Sequence, residues 1–296
     1  MKRPEKIEQE LLELRKKKKA IGQLLAAEII MLLLIIVVVF TADIETVYVL
    51  CGVVLIYNLF IVRPPIRKYK KELTAMELMY GAAGDIADCE YQEKDGLAKD
   101  SLEQDKLLPP GEWPDGAICR HSVKGRYINA SIKMCECSFV VRYGSRRSEA
   151  VFLSGTYVQA DMADQTGLSI SCISRGIPHI SESMPDLTQY GLQPVQPGGE
   201  KARNIFWAFS ERTKLPEWLE KQLIKLSASG SKILMSLNGH RVSIFLVSRF
   251  YTAKHHLSYP LSRDSLSWNR LPEKQAIFDT LRIIQRNAVL EKRKEK

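Results

Sequence analysis

The 296-residue chain has a formal net charge of +9 and is 45 % hydrophobic, averages that combine a basic, apolar N-terminal part with a water-compatible remainder. That remainder is long enough to bury a core without metals or disulfides, so a small cysteine-stapled fold is excluded. The positive charge gathers at the two ends of one apolar tract, and no zinc finger, aromatic RNA-binding motif or helix-turn-helix accompanies it, so nucleic acid is not expected as a partner.

Residues 1–19 form a basic N-terminal segment. Within it Ile7, Leu11, Leu12 and Leu14 are spaced for an amphipathic helix that lies near a membrane or pairs with a copy of itself. Lysines close to an anionic surface are each attracted by roughly 1 kcal/mol.

Residues 20–63 read as a two-helix transmembrane hairpin. The apolar tract at 21–62 would be ~63 Å long as one straight helix, about twice the ~30 Å hydrocarbon core. Its middle, Thr41-Ala42-Asp43-Ile44-Glu45-Thr46, carries two carboxylates that are costly at bilayer depth. Spans over 21–40 and 47–62 result. Pro64 and Pro65 are expected to stop the second helix, because neither can donate a backbone hydrogen bond. Both outer flanks are basic and the loop is acidic, so the positive-inside rule places both termini and the main domain in the cytoplasm, on a multi-pass plasma-membrane protein. No Ala-x-Ala site follows the first run, which argues against a cleaved signal peptide. Gln23 and Glu28 interrupt the first span. Glu28 can be an interfacial carboxylate, a contact between helices or part of an ion or proton relay.

Residues 64–114 read as a helical connector followed by a polar loop, and 115–292 as a cytoplasmic α+β domain, with 293–296 a frayed tail. β-favouring runs at 118–128, 131–143, 150–160, 168–175 and 204–210 predict strands. Pro216 starts a helix with Trp218, Leu219, Leu223, Ile224 and Leu226 on one face, and Gly230 ends it. Asn238-Gly239 between two apolar runs predicts a type I′ hairpin loop. After Pro272 a last helix presents Ile277, Leu281, Ile284 and Ala288 for docking. The arrangement is a mostly antiparallel sheet with packed helices, compatible with a pleckstrin-homology-like or related lipid-recognition barrel.

The basic-flanked hairpin, GRYINA at residues 125–130, VFLSGTY at 151–157, and the later IFWAFS and LNGHRVSIF segments carry a resemblance. The chain resembles a family of uncharacterised bacterial membrane proteins often encoded beside the membrane protein LemA. Gly125 with Tyr127, and Phe152 with Gly155 and Tyr157, match its glycine–aromatic pairs. The resemblance implies a membrane-tethered cytoplasmic domain in the cell inner membrane and carries over no activity, cofactor or catalytic residue.

One constellation suggests chemistry. Alternation puts Cys119 and His121 on one face of a strand and Cys135 and Cys137 on one face of the next. If Cys119 pairs with Cys137, His121 faces Cys135 and the four form a Cys₃His zinc set; a one-residue slip disperses them. The other reading is ordinary buried thiols and a strand histidine. His255-His256 reads as surface. Phosphate-binding glycine loops and a GxSxG elbow are absent from the sequence, so no cofactor and no reaction are called for. The leading expectation is a membrane-tethered binding or scaffold protein whose partners are membrane lipids, another membrane protein or a second copy. An anionic-lipid-responsive module, and a membrane-associated enzyme or zinc-binding protein, are the alternatives.

Overall fold

The computed structural model describes residues 4–41, 43–82, 86–94, 103–110, 114–143, 148–178, 180, 182–228, 230–247 and 272–294. The protein is α+β, and the chain divides into two compact units that part at residues 81–82.

The first unit is a long helical hairpin. Helix α1 (Pro4–Val39) runs without interruption from the charged lead-in through the first apolar stretch. Helix α2 (Ile44–Tyr57) begins within the acidic break, directly after Asp43 and with Glu45 in its first turn. Thr46 Oγ1 donates to Asp43 Oδ1 at 2.6 Å at this turn.

Pro64 and Pro65 do not stop the helix. A π-helical turn (Asn58–Val62) leads directly into helix α3 (Arg63–Ala82). A proline ring collides with the carbonyl four residues back and leaves one carbonyl without a donor. The wider turn shifts the ladder by one residue, and the Arg63 amide donates to Asn58 O, five positions back. The helix thus resumes with both prolines in its first turn, where a missing N–H costs little.

Part of the apolar face of the lead-in is covered within the chain, whereas Leu12 is 51 % exposed. Leu11, Leu14 and Ile21 pack on Tyr69, Leu73 and Met76 of α3, forming a small buried core of antiparallel helices. Lys17 and Glu72 join the two helices through an ion pair of 2.6 Å.

The second unit is built on an antiparallel sheet of nine described strands: β1 (Ala87–Lys94), β2 (Gly116–Tyr127), β3 (Ala130–Tyr143), β4 (Ser148–Met162), β5 (Ser169–Ser174), β6 (Gln193–Val195), β7 (Phe206–Ser210), β8 (Lys232–Asn238) and β9 (Arg241–Val247). Their order is β1-β2-β3-β4-β9-β8-β5-β7-β6, an open sheet whose described edges are β1 and β6. The expected strands are present, and β1 and β6 extend the sheet on either side. β1 falls in the stretch that had read as connector.

Helix α4 (Glu200–Ile205) precedes β7, helix α5 (Glu217–Ser227) precedes β8, and helix α6 (Pro272–Lys294) closes the described chain. The hairpin loop lies one residue later than expected. Asn238 pairs with Arg241, which leaves Gly239-His240 as the loop with its positive φ at Gly239. That is the requirement of a type II′ turn, not of type I′.

Period-2 alternation gives the sheet two buried faces. Cys137, Tyr157, Phe245 and Leu234 look one way. They meet Leu107, Leu108, Ile177, Ile180, Leu187 and Leu192, which come from the segments that cover this face. Met134, Val158, Ile244 and Met235 are successive cross-strand partners, equally buried on the opposite face. Helices α5 and α6 pack together through their apolar stripes. Of the expected docking residues on α6, Ile277, Leu281 and Ile284 are all buried, and Tyr127 ties the helix to β2 by ring contact with Phe278 and a 3.3 Å hydrogen bond to its carbonyl.

At the centre of β4 the sheet needs a glycine. A Cβ on Gly155 would collide with the backbone carbonyl of Leu246 on β9. The neighbouring strand therefore approaches closer than any side chain permits.

Candidate functional site

The four residues singled out for zinc separate into two groups. Cys119 and Cys137 do pair across β2 and β3, and Cys135 lies two residues along on the same face. All three are buried in the core of that face. The Cys119 thiol hydrogen-bonds toward both others. This contact, followed by burial, pushes the Cys135 and Cys137 thiols far above the ordinary range. Protonated thiols in an apolar setting are poor nucleophiles and poor ligands.

His121 does not join them. A β-bulge sets His121 and Ser122 opposite the single residue Cys135, with His121 at φ 53°. The extra residue breaks the alternation on which the four-ligand set depended. A hydrogen bond of 2.8 Å instead joins His121 Nδ1 to Tyr91 Oη on β1, with the two rings stacked. Burial lowers the His121 pKa, with Glu93 opposing and Arg120 assisting. Burial first, and then Glu93, push Tyr91 up to about 12. At neutral pH the neutral imidazole therefore accepts from the phenol. Among the described residues, no group of three or more His, Cys, Asp or Glu side chains is placed to hold a metal ion. His179, His255 and His256 lie outside the described residues.

Sequence reasoning missed the main buried polar cluster. The turn carrying Asp105 lays that carboxylate over the sheet, where its Oδ2 accepts from Tyr157 Oη. Arg241 Nη1 approaches Asp105 Oδ1 at 3.5 Å, and Arg241 Nε donates to Asp161 Oδ1 at 2.7 Å. The Gln159 amide, with its oxygen turned to the guanidinium, accepts from Nε and Nη1 at 3.2 Å. Burial raises the Asp105 pKa against the opposing pull of Tyr157, Arg241 and Ser243. Burial, then the Asp105 charge, push Tyr157 well above its usual value.

Asp105 is 1 % exposed and Tyr157 0 %, so no substrate reaches them in this conformation. Chemically the set is a clasp that fastens the Asp105–Leu108 turn to β4 and β9. Only the sequence separation, 52 residues from Asp105 to Tyr157, concealed it.

Two smaller devices also hold loops. Both Glu220 carboxylate oxygens accept backbone amides, from Gly198 at 2.6 Å and Gly199 at 3.1 Å. The QPGGE connection is thereby gripped by α5. Arg175 lies 3.4 Å over the Trp207 ring, so Trp207 serves this contact while Phe206 and Phe209 are buried.

The hairpin unit presents a different surface. Its two helices are long and apolar enough to cross a membrane, and only 6 % of each most apolar stretch is buried. Ile30, Val37, Phe40, Tyr48, Val53 and Phe60 all face outward. A soluble core helix would hide such side chains. Between the helices, Asn58 Nδ2 donates to Glu28 Oε1 at 2.5 Å, and Tyr57 Oη lies 3.5 Å from Leu24 O. Glu28 thus makes a contact between helices, one of its three expected roles.

No family model matches the chain and no curated protein matches it. Among solved structures it is similar to the mycobacterial trehalose monomycolate transport factor A, TtfA, at 8 % identity and a TM-score of 0.34, over 71 % of this chain and 95 % of that one. At that score the likeness carries no argument about fold or activity.

Proposed function

We propose that the chain is a membrane-tethered binding or scaffold protein, with its hairpin inserted from the cytoplasmic side. One observation carries this reading. The outward apolar band of α1 and α2 is uncovered, whereas the continuation of the same helices buries its apolar residues within the pair. One pair of helices is therefore built for lipid along one part of its length and for water along the next. The basic residues at 15–19 and 63–71 favour the side of the membrane on which both termini remain.

The paired extension, α1 before the apolar tract with the ~30 Å of α3, continues the hairpin beyond its apolar band. Restricting the sheet unit to a surface raises its effective concentration toward membrane neighbours. The buried polar clusters of the sheet unit serve to fix loops, which suits a binding surface better than a reaction centre.

The test is a carbonate wash of native membranes followed by in-membrane crosslinking of the full chain. Retention in the pellet with a reproducible membrane-protein or self-crosslinked product supports the proposal. Release into the wash defeats it.

A further inference from the structure

The two basic runs flanking the apolar tract are far apart in sequence, yet the helix pairing brings them together. Residues 15–19 supply five Lys or Arg side chains and residues 63–71 another five. The antiparallel cross-links Lys17–Glu72 and Glu28–Asn58 place both runs beside one short length of the hairpin. Eleven positions of α1 separate those links, ~17 Å along the axis. Lys16, Lys19, Arg67, Lys68 and Lys70 are all exposed there. The acidic side chains Glu8, Glu10 and Glu13, and Glu77 on α3, occupy the end away from the apolar band. Charge is thus segregated along the pair, basic next to the outward apolar band and acidic beyond it.

We infer that this collar is a binding site for anionic phospholipid headgroups. The inference rests on the membrane-tethered reading above and adds the lipid class. Ten cations lie where the apolar surface ends, Lys16, Lys19, Arg67, Lys68 and Lys70 among them exposed, while Lys17 pairs with Glu72 across the two helices. The phosphates of an adjoining anionic leaflet attract such a cluster by roughly 1 kcal/mol for each cation held near the surface. Lysine and arginine stems can lie along the helices and carry their charges into the headgroup layer from either side, so the depth of the collar matches that layer. Arg67 adds a planar fork that engages phosphate through two hydrogen bonds.

The experiment reconstitutes the full chain in nanodiscs of phosphatidylcholine containing phosphatidylglycerol as a minor component. Lipid retained after gentle detergent transfer is then identified by native mass spectrometry. The wild-type chain should retain phosphatidylglycerol enriched on the order of tenfold over its share of the bilayer. The variant K16Q/K19Q/R67Q/K68Q/K70Q should retain lipid at the bulk composition. K201Q/R203Q/K214Q/K221Q/K225Q, which removes the same charge from the sheet unit, should behave as wild type. Equal enrichment in the collar variant, equal loss in the control variant, or no enrichment in wild type overturns the inference. Carbonate resistance of the same preparations separates the two levels. A chain that stays in the membrane without enrichment defeats the lipid site alone, and a chain washed free defeats both.

Discussion

Asn58 and Glu28, thirty residues apart, are joined side chain to side chain at 2.5 Å, with Asn58 the first residue of the π-helical turn. The extra residue of that turn decides which side of the second helix faces α1, so the bond and the turn form one arrangement. In hydrocarbon the carboxylate has few other partners, although measured interhelical hydrogen bonds in membranes are worth only ~0.6 kcal/mol on average and ~1.7 at most. Asn58→Leu should therefore destabilise the hairpin by about 1 kcal/mol. Glu28→Gln should cost less, because an amide oxygen still accepts, and Glu28→Leu should add nothing once Asn58 is gone. A double-mutant cycle in mixed-micelle unfolding measures this coupling; a cycle that closes to zero would show that the two residues act independently.

Asp105 gives the sheet unit a specific pH response. Its folded pKa lies above the ordinary aspartate value of 3.8 because burial disfavours the charge, so the folded state binds this proton more tightly than the unfolded chain does. The contribution is fully present below the unfolded pKa and is lost as pH rises from 3.8 through the raised folded value. Other carboxylates superimpose their own slopes, so the quantity to follow is the difference between wild type and Asp105→Asn. The stability of wild type relative to the variant should fall across that window and then level off. Urea titrations at a series of pH values supply it, and a difference that rises with pH would mean that Arg241 and Tyr157 outweigh burial.

Gly155→Ala tests the close approach of β4 and β9. The methyl group has no flexible neighbour to displace, since the obstacle is the Leu246 backbone carbonyl. One of the two central strands must shift, and overpacking of this kind costs about 1–3 kcal/mol or more. The denaturation midpoint should drop accordingly with an unchanged m-value. A midpoint equal to wild type would mean that β9 can retreat without loss.

The parts of the fold that follow from hydrophobic pattern were legible in the sequence. The tract divides at Asp43 because two carboxylates there outweigh the flanking apolar residues, and α1 and α2 end and begin on either side of that point. β2 to β5 and β7 announce themselves by runs of β-favouring residues, and β8 and β9 by the two apolar runs around Asn238-Gly239. β1 does not: ADCEYQEK is polar, and its residues alternate only between exposed and half-buried, so no apolar face marked it. Pro194 inside the three-residue β6 hid that strand too, since proline is tolerated at an edge.

Local geometry was the harder part. The pairing of Cys119 with Cys137 was one of two registers that the sequence allowed, and nothing in CRHS signalled that His121 and Ser122 would share one opposing residue. A bulge is set by what the neighbouring strand offers, here Tyr91, which the sequence had not identified as a strand residue. The Asp105 clasp was invisible for a similar reason. Its members are ordinary residues until the chain brings three distant segments together. The prolines misled because a one-residue ladder shift, which lets them sit in a helix, has no composition of its own.

Ile128 offers the sharpest test of local strain. It sits in the β2–β3 loop at φ 53°, where a β-branched side chain crowds the backbone, and it is 58 % exposed. Left-handed geometry costs a non-glycine residue roughly 1–2 kcal/mol, and little burial offsets that cost here. Asparagine is far more tolerant of this region, so Ile128→Asn should stabilise the sheet unit by about 1 kcal/mol. For a domain of this size that is a rise of ~2–4 °C in Tm, readable by calorimetry or circular dichroism. The exposed isoleucine would then be a residue retained against the preference of its own backbone, a pattern expected where a surface side chain meets a partner. A fall in Tm would instead show that Ile128 earns its place by packing within the folded chain.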